Sequence, residues 1–176
     1  MSLSLEQFLN LTAQRGSWYG GGSAAALTCA VAAALLEKLV SAAAGARSLR
    51  STRTQAARLV QRDAETFARV IKAYYQQDRA AIKRTLKEAT EVPLAIAQAS
   101  AQVLAVARQM KRTIKPRYRS DLTCVEALAR ASRRAAEAFV STNLAWLDDP
   151  AYTRKVRKQL AAPTRRRSTA AARARA

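Results

Sequence analysis

Apolar residues recur along this chain mostly at intervals of three and four, the spacing of one face of an α-helix, rather than alternating as strand residues do. Ser4-Leu5-Glu6-Gln7 has the form of a capping box, and Phe8 and Leu11 then give a short first helix its apolar face, ending near Gln14. After a loop over residues 15–22, a second helix is predicted from about Ser23 to Ala44, closed by Gly45 in the left-handed conformation common after helix ends. Its first half is apolar on nearly every face, which predicts a central helix surrounded by others, with alanines permitting close approach.

A third helix is expected from near Ser51 to Tyr75. Leu59, Phe67, Val70, Ile71 and Tyr74 form its apolar face, and Arg58, Arg62, Glu65 and Arg69 face solvent, with Glu65 and Arg69 spaced to pair. The fourth helical stretch starts near Asp78 and meets Pro93, so a kink or a restart capped by Thr90 is expected between Thr90 and Pro93, after which the helix continues to about Met110. Ser120-Asp121 begins a fifth long helix that closes near Leu147, before Asp149-Pro150. The pattern predicts an all-α fold, an up-and-down bundle of five or six helices occupying residues 1–162. Residues 163–176 are basic and lack apolar periodicity, so a disordered tail is expected there.

Composition agrees with helices: alanine and leucine abound, and glycine and proline together make up only nine residues. The longest apolar run is broken at Thr28 and closed by Glu37-Lys38, so no membrane span is expected; MSLSLEQFLN lacks the form of a signal peptide, and a cytoplasmic protein is expected. Cys29 and Cys124 sit in apolar helical patterns and read as buried reduced thiols. The chain has no histidine, which removes the common zinc sites and every Ser-His or Cys-His nucleophile pair; no metal site is expected. Proton transfer falls to Asp, Glu, Lys, Tyr, Cys or water.

The formal charge is +19; nine of the cations lie in residues 150–176 with no acid among them, which leaves +10 on the rest. Between Arg108 and Arg119, the stretch RQMKRTIKPRYR holds six cations in twelve residues and no acid. An anionic ligand or nucleic acid is the partner such a loop suits.

Several positions are candidates for chemistry. Gly20, Gly21 and Gly22 run straight into the second helix, and Ser23 is an acceptable cap; backbone N–H groups at a helix start suit a carboxylate, phosphate or polarised carbonyl, while the alternative is a turn that lets two helices pack. Asp63 falls inside the apolar stripe Ala56, Leu59, Phe67, Val70 and Tyr74. It is either ion-paired to an arginine of a neighbouring helix or a binding group or general base with a shifted pKa. Asn143 shares a face with Ala136, Phe139, Val140 and Leu147, for a ligand or for an interhelical hydrogen bond. Asp121 reads as a helix cap beside the basic loop. One of Tyr74 and Tyr75 is expected in the core, leaving the other to stack on a planar ligand.

Four stretches in order, GGGSAAALTCAVAAALLEKLV, RDAETFARVIKAY, ATEVPLAIAQASAQVLAVA and SDLTCVEALARASRRAAEAFVSTNLAWLDD, resemble the cyclodeaminase/cyclohydrolase family over roughly residues 5–150. The family comprises the cyclodeaminase domain of formiminotransferase-cyclodeaminase and the stand-alone methenyltetrahydrofolate cyclohydrolases. The resemblance implies an all-helical homodimer with a tetrahydrofolate derivative as substrate in a cleft near the glycines. It implies either hydrolysis of 5,10-methenyltetrahydrofolate to the 10-formyl form or loss of ammonia from 5-formiminotetrahydrofolate. The positions it carries over are Gly20, Gly21, Gly22 and Ser23, Asp63, Ser120-Asp121 and Asn143. Asp63 or Asp121 is then the base, Tyr74 a ligand contact, and Lys111, Arg112, Lys115, Arg117 and Arg119 receptors for the folate's glutamate tail.

Three departures from the family pattern stand out. Ser17-Trp18-Tyr19 replaces a proline before the glycines, Tyr75-Gln76-Gln77-Asp78 replaces a Leu-Pro-Lys element, and KRTIKPRYR replaces a Gly-Asn turn. The missing lysine suggests an alternative in which the chain binds a folate or another small anion without turnover. The basic loop and tail suggest a second, a helical protein associated with nucleic acid.

Overall fold

The capping box forms as the sequence requires: Ser4 accepts from the Gln7 N–H at 3.1 Å and the Gln7 side chain accepts from the Ser4 N–H at 2.8 Å. It opens α1 (Leu5–Ala13), whose Phe8 is buried and meets Tyr19 edge-on. The computed structural model describes residues 3–40 and 43–162, so the tail expected at 163–176 lies outside the described residues. The remaining helices are α2 (Gly21–Leu39), α3 (Ala43–Tyr75), α4 (Arg79–Met110), α5 (Arg119–Leu147) and α6 (Pro150–Ala161), with a single 3-10 turn at Pro116–Tyr118; no strand occurs among the described residues.

Contacts at the two ends fix the topology. Glu37 near the end of α2 pairs with Arg50 and Arg53 near the start of α3, and Lys38 reaches Asp121 at the start of α5. Lys111, just past the end of α4, pairs with Glu126 of α5. Thus α2 and α4 run one way and α3 and α5 the other, giving the expected up-and-down bundle. The alanines of α2 let it sit deeply among its neighbours: Ala25, Ala26, Ala32, Ala33 and Leu36 are buried against Ala56, Val92, Ile96, Val103, Val125 and Ala136. A buried polar chain sets the register, with Ser132 of α5 donating to the Ala25 carbonyl at 2.7 Å and lying 3.0 Å from Ser100 of α4. α6 is stapled to α4 through Asp149, which caps Tyr152 and pairs with Lys87 at 2.9 Å. Its carboxyl is held down to about 2 by the Tyr152 N–H and the Lys87 ammonium.

Several expectations need correction. α2 stops at Leu39 and α3 starts at Ala43, so Gly45 lies in the first turn of α3 rather than closing α2. A Cβ at Gly45 would stand 2.9 Å from Val40 Cγ1, which assigns the glycine to close approach instead of to a left-handed cap. Asp121 does not cap α5: Tyr118 occupies that position without a side-chain bond. Arg69 pairs across to Glu88 of α4 at 3.2 Å, and Glu65 accepts from Gln61. Cys29 is buried but Cys124 is exposed, and both are free thiols. By length and mean hydropathy α2 (1.4) and α4 (1.2) reach the range of membrane spans, which the run of apolar residues alone did not show; about half of each window is packed inside the bundle.

The restart expected near Pro93 does not occur, for α4 runs as one helix from Arg79 to Met110 with Pro93 inside it. Proline has no N–H, so the Ala89 carbonyl four residues earlier loses its helical donor. Asn143 of α5 supplies the replacement, donating from Nδ2 to that carbonyl at 2.9 Å, while Thr90 bonds back to the Leu86 carbonyl instead of capping a new helix. Asn143→Ala is therefore expected to cost about 1 kcal/mol in urea unfolding. In a Pro93→Ala background, where Ala89 regains a backbone donor, the same change should cost much less; equal costs in the two backgrounds would refute the pairing.

Candidate functional site

The glycines at the start of α2 have separate tasks. Gly20 is the cap, with extended backbone and open space around it. A Cβ on Gly21 would stand 2.6 Å from Cζ of Phe139 on α5, and one on Gly22 would overlap the Asp63 carboxylate, 2.6 Å from its Cγ. The helix start is thus wedged between α3 and α5, a fit available only without side chains. Ser23 is buried and is the third residue of the helix rather than its cap; its hydroxyl donates to Asp63 Oδ2 at 2.9 Å.

Asp63 is half-buried, and among the described residues its hydrogen-bond partner is Ser23, not the arginine one reading of the sequence allowed. Burial pushes its carboxyl above the usual carboxylate range, and the hydroxyl and N–H of Ser23 pull it part of the way back. A carboxyl in that state can give or take a proton nearer neutrality than a free one.

Around it the surface is aromatic. Phe67, one turn along α3, meets Trp18 edge-on with ring centres 6.2 Å apart; the two are 42% and 45% exposed, and Phe139 is 38% exposed. Further along the same helices Tyr74 meets Trp146. Neither Tyr74 nor Tyr75 enters the core: Tyr74 is at this aromatic edge, and Tyr75 is 84% exposed at the end of α3. Phe67 departs in the same way from its expected place in the core. Sequence reasoning misses Phe139, Trp18 and Trp146 as site residues, although Phe139 and Trp146 flank Asn143 at helical spacing. Asn143 itself is committed to the Ala89 carbonyl through its amide nitrogen.

The other candidates lie elsewhere. Ser120 and Asp121 are in the first turn of α5, with Asp121 3.4 Å from Lys38. Ser23 and Lys38 are fifteen residues apart on α2, about 22 Å along its axis, so Asp121 and Asp63 belong to opposite ends of one protomer. The basic loop is at the Asp121 end. There Lys111 pairs with Glu126 at 3.0 Å and Arg117 lies over the Tyr118 ring, while Arg112, Lys115 and Arg119 are exposed. A cavity of about 500 Å³ on α3, lined by Arg47, Arg50, Ser51, Thr54, Gln55 and Arg58, includes none of the glycine-loop residues. No group of three metal-ligating side chains occurs among the described residues.

The family model of formiminotransferase-cyclodeaminase matches residues 4–162. The chain belongs to this family. A solved structure of formiminotetrahydrofolate cyclodeaminase from Thermotoga maritima superposes with a TM-score of 0.84 at 22% identity, over 90% of this chain and 86% of that one, which establishes the shared fold. No curated protein sequence matches significantly. In this member of the formiminotransferase-cyclodeaminase family, Gln76 and Gln77 form the tight link after α3, Gln77 in the left-handed region at φ 53°, and Asp78 caps α4 by accepting from the Ala81 N–H at 2.9 Å.

The wedge makes a sharp contrast testable by thermal or urea unfolding. Gly22→Ala should destabilise by about 1–3 kcal/mol because the Asp63 carboxylate must move, whereas Gly20→Ala, in open space, should change stability by less than about 0.5 kcal/mol. A second expectation concerns pH. The folded state holds the Asp63 proton more tightly than the unfolded chain does, so ionising it costs stability. That cost is absent below the unfolded value and grows as pH rises through the raised folded value. Relative to wild type, Asp63→Asn should gain stability as pH rises above the ordinary carboxylate range, read as urea midpoints; a constant difference would show that Asp63 does not titrate this way.

Proposed function

We propose that this chain works on the one-carbon bridge of a reduced folate, with Asp63 as the group that moves the proton. The observation that carries this reading is the half-buried Asp63 carboxyl held by Ser23 at the glycine-wedged start of α2, in a chain of the formiminotransferase-cyclodeaminase family. Trp18, Phe67 and Phe139 offer the apolar, π-rich surface that a flat heterocycle requires.

Two reactions share this centre. In deamination, the N10 of 5-formiminotetrahydrofolate attacks the formimino carbon and gives its proton to the imino nitrogen, and the C–N bond to that nitrogen breaks. Ammonia leaves after that nitrogen has been protonated, and the product is the 5,10-methenyl cation. In hydrolysis, water adds to the methenyl carbon, the bond from that carbon to N5 opens, and a proton is released with 10-formyltetrahydrofolate. Asp63 serves as the donor to the departing nitrogen in the first and as the acceptor from the attacking water in the second. The substrate ring is cationic or becomes so, which suits a carboxylate beside it rather than the cationic loop at the opposite end of the protomer. The functional unit is a homodimer.

The test is methenyltetrahydrofolate absorbance decay and ammonia release from the formimino form, for wild type and Asp63→Asn, each corrected for spontaneous reaction. Wild type should accelerate one of them, and Asp63→Asn should lose about 10²–10⁴-fold. Full activity in Asp63→Asn would remove Asp63 from the chemistry. Tyr75-Gln76-Gln77-Asp78, in place of a Leu-Pro-Lys element, favours a second reading, a chain that binds folate without turning it over. Calorimetric binding with no acceleration of either reaction would establish it.

A further inference from the structure

The first half of α3 carries charge of one sign. Residues 45–62 hold five arginines and no acid. Four of these arginines form two groups with neutral donors between them: Arg47 and Arg50, then Ser51, Thr54 and Gln55, then Arg58 and Arg62. All seven side chains are exposed, and the first six line the cavity of about 500 Å³ on this helix. Counted at helical spacing, Arg47, Ser51, Thr54, Arg58 and Arg62 fall within about 80° of the helix circumference. They make one straight stripe.

The flanking helices leave that charge uncompensated. Glu37, the one acid of α2, is shared by Arg50 at 3.0 Å and Arg53 at 2.9 Å, and the two guanidinium groups hold its carboxyl below the usual range. On the other flank α4 is joined to α3 by Gln102 Nε2, which donates to Ser48 Oγ at 3.0 Å, and α4 has no acid after Glu91. Glu65, the next acid along α3, marks the limit of the stripe.

Spacing and composition decide the occupant. Arg47 and Arg58 are eleven residues apart, about 16 Å along the helix axis, which matches the reach between phosphates on the two sides of a duplex major groove about 12 Å wide. Guanidinium groups take phosphate oxygens two at a time, and Ser, Thr and Gln add neutral donors between them. A single strand requires aromatic rings on which its bases stack. The described part of α3 has no aromatic residue before Phe67, and the exposed aromatic pairs are those at Phe67 and Tyr74.

We infer that α3 binds duplex nucleic acid, lying across the major groove with Arg47 on the phosphates of one strand and Arg58 and Arg62 on those of the other. Affinity comes from the phosphates, so binding tolerates changes of base sequence and weakens steeply with salt. Asp63 lies on the side of α3 that meets Ser23 of α2. The stripe therefore stands whether or not the chain works on a folate.

The test is fluorescence anisotropy of a short labelled duplex with the full chain, between about 50 and 200 mM salt. Arg47→Gln, Arg58→Gln and Arg62→Gln combined should make the slope of log affinity against log salt shallower by about 3. Arg154→Gln, Lys155→Gln and Arg157→Gln on α6 remove the same charge and should change the slope by less than about 1. Arg50 is kept in both because it holds Glu37, and equal urea midpoints verify that both variants fold. Thr54→Glu, one acid set between the arginine groups, should weaken binding more than Ala151→Glu on α6. Equal losses in the two triple variants would reduce the effect to net charge and overturn the inference. So would tighter binding of the corresponding single strand. Preference for a polyglutamate peptide over the duplex would assign the stripe to an acidic polypeptide instead.

Discussion

α2 can enter the bundle beside α3 only because Gly22 has no side chain, and most of the molecule's arrangement depends on that contact. It brings the start of α2 against the Asp63 carboxylate, lets Ser23 donate to it, and leaves the carboxyl short of the solvation that would keep its pKa ordinary. Gly21 does the same on the other flank against Phe139. From there the alanines of α2 lie deep among their neighbours, and the Ser132 bond to the Ala25 carbonyl holds the register one turn further in. The site is therefore a by-product of packing: the groups that set the helix spacing also perturb the carboxyl.

Much of this was legible in the sequence, for reasons that are local. Ser4 and Gln7 announce a cap whatever surrounds them, and the apolar periods of α3, α4 and α5 put their far ends within a residue or two of Tyr75, Met110 and Leu147. Asp63 betrayed itself by interrupting an apolar stripe. What could not be read depended on partners far along the chain. Gly45 has the right spacing for a helix end, but Val40 takes the space its Cβ would need. Pro93 is a helix breaker in isolation and tolerable once Asn143 serves the carbonyl it abandons. Tyr74, Phe67 and Phe139 have core periodicity, yet each is exposed, for periodicity gives direction around a helix but not whether a neighbour stands there.

The placement of charge teaches a related lesson. Asp121 and the basic loop seemed natural companions for the glycines because all were candidates for one ligand, but helix length sets them at opposite ends of α2. A loop at the far end can change without disturbing the wedge that forms the Asp63 site.

The pairing of Pro93 and Asn143 also constrains the order in which this sequence can change. A lineage that first replaces Pro93 restores the helical bond to Ala89 and frees Asn143 to drift. One that first loses Asn143 must pass through a form with a stranded carbonyl between two long helices. Change across this helix pair thus has a preferred order, because the asparagine is lost without cost only after the proline has gone.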